Sequence, residues 1–336
     1  MAHLTIIDIA PLFHEDRHAR RVIDERIGRA ILEAGGFVIA NYPDADRVDA
    51  RALTLLEFFE LSNEIKFSVA SRAMNPEGSR IYRGYFASLG PDSWAHNEIY
   101  DIGPEDPVGG PAILGMDIFA ETNIWPAVEP VPGWRQAMRA YRDHMGTVAR
   151  AVMLSISRAA GFTDEDLLSR FEGGNSTLRL LNYPARSGSS KVVNEFPDDR
   201  FIDDEGLTLA TGRHTDAAGV SLLWQRQPGL QAQAPDGSWR DVPRLENCIS
   251  VHLGTALEIM TNGLVPATPH RVIDQGTPRQ SVGFFLEPAL GAQLAPVEAE
   301  VELSDAVAAV RGTYGWHLQA RFHEQKGYEH LVPYPE

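Results

Sequence analysis

A chain of 336 residues, 43% hydrophobic and 23% charged, can bury a large core without staples. At ~150 residues per domain it holds about two units, or one large β-barrel unit. Its 30 basic and 46 acidic residues leave a net charge of −16, which argues against a nucleic-acid or anionic-membrane partner, since either needs a basic surface.

Met1 to Phe13 is a mixed apolar stretch broken by Asp8 and Pro11. No basic region precedes a long apolar run, and no apolar run approaches ~20 residues, so neither a signal peptide nor a membrane span is expected. Arg20 to Ala34 carries Val22, Ile23, Ile27, Ala30 and Ile31 at helical spacing and stops at Gly35-Gly36. Phe37 to Ala40 reads as a short strand, and Asp46 to Ala70 as helical through Leu53, Leu56, Phe59 and Ile65. Residues 76–126, rich in Gly, Pro and Asp, read as irregular loops. Trp134 to Ala160 is a long amphipathic helix, with Met138, Tyr141, Met145, Val148 and Ile156 on one side and Gly161 as its stop.

After about residue 176 the period changes to that of strands. Thr177 to Tyr183, Gly219 to Gln225, Gly229 to Ala234, Cys248 to Leu253, His270 to Asp274 and Gln280 to Glu287 are short β-rich runs, and Asp236-Gly237 is a hairpin turn. Such runs predict an antiparallel sandwich or barrel. Ala185 to Gly212 is a long polar connection, of the kind that is functional or mobile. Residues 304–325 return to helical periodicity. The outline is α+β: residues 1–130 a helical and loop region, 131–175 a supporting helix, 176–303 a β core and 304–336 a C-terminal helix and tail. The single cysteine, Cys248, excludes an internal disulfide and any cysteine-rich metal site, and fits a reducing cytoplasm. A monomer and a homodimer fit equally.

The strongest chemical signal is Gly212-Arg213-His214-Thr215-Asp216. On a strand, residues two apart share a face, so the imidazole of His214 and the carboxylate of Asp216 would project together and could share a cation. A third ligand must come from His252, His270, His317, His323 or His330, and His252, inside an apolar run, reads better as a buried histidine held by hydrogen bonds. Two histidines and a carboxylate leave positions open on an octahedral metal, as in non-haem Fe(II) oxygenases. Arg279 and Ser281 also share a strand face. A guanidinium beside a hydroxyl suits a carboxylate, and an arginine in this apolar strand needs an anionic partner that no neighbour in sequence supplies. Tyr183, closing the first β run, could complete such a site.

These blocks together resemble the isopenicillin N synthase-like group of Fe(II)/2-oxoglutarate-dependent oxygenases. The match runs through Gly212 to Asp216, Ser221 to Gln225, Gly229 to Gln231, Leu257 to Gly263, Pro269 to Val272 and Arg279 to Phe285. Ile6 to Ile9, Ala34 to Phe37, Arg83 to Tyr85, Glu98 to Gly103 and Asn123 to Pro126 extend it over almost the whole chain. Departures are Leu181 where the family often has Asn, with Asn182 on the other strand face, and Gly254-Thr255 for the usual Gly-Asp.

The resemblance implies a double-stranded β-helix (jelly roll, cupin-like), with His214, Asp216 and His270 holding Fe(II). Arg279, Ser281 and Tyr183 would bind 2-oxoglutarate. The implied reaction consumes O₂, releases succinate and CO₂ and most commonly hydroxylates a small molecule, with ascorbate as a reductant in vitro. Tyr82, Arg83, Tyr85 and Phe285 are candidates to face the substrate, as are the C-terminal helix and the Ala185 to Arg200 loop, whose Arg186 and Lys191 read better as solvated loop charges than as contacts to an anionic substrate. Two other readings use the same residues: an Fe(II) oxidase of the isopenicillin N synthase type that needs no 2-oxoglutarate, and a zinc hydrolase, which would leave Arg279 and Ser281 unexplained.

Overall fold

The structure is a computed structural model and describes residues 3–88, 95–109, 118–163, 167–185, 201–294, 311–325 and 327–332. The N-terminal strand β1 (Ile6–Asp8) leads to helix α1 (Arg17–Ala34). Asp16 caps α1 by accepting from the amides of His18 and Ala19, a contribution of about 1 kcal/mol. Gly35 ends it in the left-handed region, φ 70°, where a side chain would be strained. The chain turns straight into β2 (Gly36–Ala40). The predicted helix over 46–70 is interrupted: α2 (Val48–Leu56) gives way to a short 3₁₀ turn and an extended Leu61, and Ser62 caps a second helix, α3 (Asn63–Ser68).

Residues 76–126, expected as loops, contain two strands, β3 (Gly84–Ser88) and β4 (Asn97–Ile102). The reason they escape a hydrophobic pattern is visible in β4. Its Glu98 and Asp101 are buried but paired, with Lys66 and Arg179, so charge stands where apolar alternation would mark a strand. The N-terminal 130 residues, expected as helix and loop, thus supply four of the eight strands of the larger sheet.

Helix α4 (Trp134–Ala159) follows, then β5 (Thr177–Tyr183), β6 (Phe201–Ile202), β7 (Thr208–His214), β8 (Val220–Gln225), β9 (Leu230–Gln233) and β10 (Trp239–Asp241). The chain continues through β11 (Ile249–Leu253), α5 (Thr255–Met260), β12 (His270–Ile273), β13 (Arg279–Leu286) and α6 (Tyr314–His323). β6 and most of β7 lie in the stretch expected as a connection, and the predicted hairpin at Asp236-Gly237 joins β9 to β10. The strands form two sheets, ordered β1-β2-β11-β8-β13-β5-β4-β3 and β10-β9-β12-β7-β6, antiparallel except for β1 with β2. This is the double-stranded β-helix, a mainly β core with flanking helices.

The period-two alternation of the central strands sorts side chains between two layers. Leu178, Leu180, Leu222, Trp224, Val282 and Phe284 face α4, which offers Met138, Tyr141, Met145, Val148 and Val152. Arg179, Leu181, Tyr183, Leu223, Arg279 and Ser281 face the other way, into a cavity of about 980 Å³ between the sheets. No helix among the described residues is long and apolar enough to cross a membrane.

Candidate active site

Strand pairing builds the centre of the cavity. β7 and β12 run antiparallel with His214 directly opposite His270, and their ring centroids lie 4.2 Å apart. Asp216 does not share the strand with His214 as the spacing predicts. β7 ends at His214, and the bend that follows brings the carboxylate back, with Asp216 Oδ1 3.8 Å from His214 Nε2 and 3.7 Å from His270 Nε2. One ligand atom from each of the three residues lies within 4.8 Å of the others, a group that could hold a metal ion.

The surroundings tune these groups for that use. His214 Nδ1 meets the carbonyl of Gly212 at 2.9 Å and His270 Nδ1 that of Thr268 at 3.0 Å. A carbonyl only accepts, so each Nδ1 carries a proton, and each Nε2 is the ring nitrogen turned to Asp216. Burial, reinforced by His270, pulls His214 down to about 4, so its imidazole is neutral near pH 7. Burial works against the Asp216 carboxylate, but His270, His214 and a 2.5 Å hydrogen bond from Ser221 outweigh it and hold the group below its usual range. Thr255 donates to the Asp216 carbonyl through its amide, at 2.8 Å, and through Oγ1, at 3.1 Å. The cluster thus offers two imidazole nitrogens and one carboxylate, a donor set suited to Fe(II). His252 is fully buried, touches Ser250 through Nε2 at 3.1 Å and lies behind His270, outside the cluster. His317 meets Thr255 Oγ1 instead.

The same cavity holds a buried cation. Arg279 is 6% exposed, and its partners are neutral: the Pro228 carbonyl at 3.2 Å, Ser281 Oγ at 3.3 Å and Gln225 Oε1 at 3.1 Å. Its guanidinium lies 5.0 Å from the centre of the Tyr183 ring. Burial lowers its pKa, the mark of a charge held without a counter-ion. Ser281 and Tyr183 line the cavity beside it.

Comparisons with known proteins agree with this geometry. The profile of the 2OG-Fe(II) oxygenase superfamily matches residues 179–288, which run from β5 to the end of β13. That segment of the chain is similar to the oxygenase domain of this superfamily. Isopenicillin N synthase of Streptomyces clavuligerus is 29% identical over 326 residues, covering 95% of this chain and 94% of that protein. Among solved structures, a C-terminally truncated Neurospora crassa protein in apo form is 27% identical with a TM-score of 0.64, over 84% of this chain and 94% of its own. The full-length form of that Neurospora crassa protein, in complex with alpha-KG, has a TM-score of 0.68 at 24% identity, over 94% of each chain. In an oxygenase of this superfamily Fe(II) and 2-oxoglutarate are the cofactor and co-substrate, and the chemistry is oxidation by O₂.

Four residues expected to face an oxygenase substrate divide evenly. Tyr82 and Phe285 line the cavity. Arg83 and Tyr85 do not, which corrects both expectations. Arg83 is fully buried and ties β5 to its approach, donating to Thr177 Oγ1 at 2.7 Å and to Asn175 at 3.0 Å. Tyr85, one pleat over from the cavity-lining Gly84 and Phe86, donates to Glu98 at 2.6 Å within a buried cluster. Asn182 faces that cluster too, at 2.6 Å from Glu98, as its offset from Leu181 predicts. Arg186 and Lys191 lie outside the described residues.

Ser221, Thr255 and Gln225 carry no sequence signal for these roles. Each acts from an apolar run or a helix start, and only the pairing of β8 with β11 and β13 reveals its partner. Glu287 is another such residue. Burial raises its pKa, and it accepts hydrogen bonds from Tyr314 at 2.6 Å and Thr177 at 2.6 Å. Tyr82 donates to it at 3.4 Å, which steadies a ring on the cavity wall.

Proposed function

We propose that His214, Asp216 and His270 hold one Fe(II), that Arg279 with Ser281 and Tyr183 receives the distal carboxylate of 2-oxoglutarate, and that the reaction hydroxylates a small organic substrate. The observation that carries this reading is the pair of features on one cavity: a two-histidine, one-carboxylate cluster and a buried guanidinium with only neutral partners. A buried cation without a counter-ion is costly, and a bound dicarboxylate removes that cost. Bound iron with 2-oxoglutarate supplies the oxidising power, with succinate and CO₂ as co-products. The chain's own residues do the rest. The Gly212 and Thr268 carbonyls fix the two imidazole tautomers, and Ser221 and Thr255 hold the Asp216 arm. Leu181, Leu223, Leu230 and Val272 line the cavity and keep bulk water from the bound carboxylate.

The Neurospora crassa protein is described in complex with alpha-KG and 5-formyluracil, which supports a small-molecule substrate here. A reducing cytoplasm suits both Fe(II) and the lone thiol of Cys248. The test is an anaerobic titration of metal-free protein with Fe(II) and then 2-oxoglutarate, following the visible metal-to-ligand charge-transfer band of the chelate. A saturable band that weakens in Arg279→Ala is expected. Bound Fe(II) with no band would instead favour the oxidase type that takes no 2-oxoglutarate, and protein that holds Zn²⁺ but not Fe(II) would sink both.

A further inference from the structure

The cavity is larger than one dicarboxylate needs. At about 980 Å³ it is at the upper end of small-molecule sites, with room for a co-substrate and a second molecule. Four arginines reach its lining: Arg179, Arg213, Arg279 and Arg321. Their charges are balanced in different ways. Arg179 forms a bidentate pair with Asp101, at 2.9 and 2.6 Å. Arg213 is exposed on the outward side of β7 and bonds Gln233, so water screens it. Arg279 is the residue assigned to 2-oxoglutarate. Arg321, on α6, is partly buried, and its partners are all neutral: the Thr215 carbonyl at 2.6 Å and Thr255 Oγ1 at 3.4 Å. No carboxylate pairs with it among the described residues, and Glu324, one turn further on, is exposed.

Thr215 lies between two members of the metal cluster, so Arg321 stands beside the reacting position. The cavity it lines also carries apolar side chains: Phe86, Ile99, Phe285, Leu318 and Phe322. We propose that the substrate is a monocarboxylic acid with an apolar body, its carboxylate received by Arg321 and its body packed on these walls. One unmatched guanidinium on a chain of net charge −16 suits a monoanion, and a fork of N–H donors suits a carboxylate. The inference rests on the reading of Arg279 as the co-substrate's residue, which leaves Arg321 for the substrate.

The test uses anaerobic Fe(II) protein at saturating 2-oxoglutarate, so that Arg279 is occupied. Phenylacetate, 3-phenylpropanoate and octanoate are titrated by calorimetry, each against its neutral primary amide. At least one acid should bind tenfold or more tightly than its amide. The preference should vanish in Arg321→Gln and partly survive in Arg321→Lys, while both variants keep the 2-oxoglutarate band. Equal binding of acids and amides, or an acid preference that survives Arg321→Gln, overturns the proposal. So does loss of the band in Arg321→Gln alone, which would make Arg321 a positioning residue for the Thr215 turn. Absence of the band in the unaltered protein would overturn the co-substrate reading instead, and the acid-to-amide ratio, measured again with Fe(II) alone, would still decide the proposal.

Discussion

Replacing Arg279 by glutamine separates what the buried cation does for the ligand from what it does for the fold. In the ligand-free protein the guanidinium is 6% exposed and spends its donors on three neutral acceptors. Desolvating an unpaired charge costs several kcal/mol, against about 1 kcal/mol returned per hydrogen bond and a further fraction from the Tyr183 ring. The two sides nearly cancel, so Arg279→Gln should leave the metal-free melting temperature unchanged or raise it slightly. With 2-oxoglutarate bound the balance differs. Truncating one partner of a buried, hydrogen-bonded charge pair costs about 2–5 kcal/mol, which is roughly a 30- to 4,000-fold loss of affinity at about 1.4 kcal/mol per decade. None of the partners of Arg279 belongs to the metal cluster, so Fe(II) affinity should hold. The assay is the anaerobic band titration paired with a thermal melt of the metal-free protein. Affinity for 2-oxoglutarate within threefold of the unaltered protein would refute the assignment. A metal-free variant melting many degrees lower would refute the claim that the charge is carried for the ligand rather than for the fold.

Asp216→Ala or His214→Ala should abolish Fe(II) binding with the far-UV circular dichroism unchanged, whereas His252→Ala should keep the metal and lose stability; stripping of iron by the His252 change would break the ligand assignment. Acid should destabilise the metal-free protein early. Burial holds His214 and His317 at about 4 and His252 at about 3, below the ordinary 6.5. These groups are therefore neutral in the fold while the unfolded chain protonates them; their stabilisation is complete above pH 6.5 and is lost as pH falls towards 4, with unfolding near pH 5 taking up as many as three protons, measurable from the slope of stability against pH. Tyr85→Phe should cost about 1 kcal/mol through its lost bond to Glu98 and leave the 2-oxoglutarate band intact; a Tyr85→Phe protein of full stability that no longer binds substrate would return that residue to the site. Gly254→Ala should remove Fe(II) binding without touching a ligand, because its Cβ would collide with the Ala218 carbonyl oxygen and push on the turn that carries Asp216; retained iron affinity would show that this turn can yield.

The parts of this molecule that follow one periodic rule were legible from sequence. α4 and β5 occupy nearly the residues their spacing predicts, because each buries a regular apolar stripe or face. β4 and β7 escape the pattern. β4 buries Glu98 and Asp101 in ion pairs, and β7 is built of small and polar residues, so neither presents the alternation that marks a strand. His214, Asp216, His270 and Arg279 stand out because their residue types are chemically conspicuous. Arg83 and Tyr85 were misjudged because motif position says nothing of the face a side chain takes. Tyr85 follows Gly84, whose φ of 103° re-aims the strand entry.

The site lies where the chain departs from its local rules. Asp216 reaches the histidines only because β7 stops at His214 and turns, and that turn is kept by contacts from three distant elements. Ser221 holds the carboxylate, Thr255 holds its carbonyl, and Arg321 holds the next carbonyl upstream. Gly254 allows α5 to start against the same turn, where any side chain would collide with Ala218. A metal arm fixed this way from β8, α5 and α6 is set by tertiary contacts rather than by strand geometry. That explains why a spacing of two residues brings His214 and Asp216 together although the local structure is a turn rather than a strand. It also ties the cavity wall to the His214, Asp216 and His270 cluster: the helix that carries Arg321, Leu318 and Phe322 into the cavity is the one whose arginine grips Thr215. The contacts on Asp216 itself come from Ser221 and Thr255, so Arg321 can turn to a carboxylate while the Asp216 arm stays set.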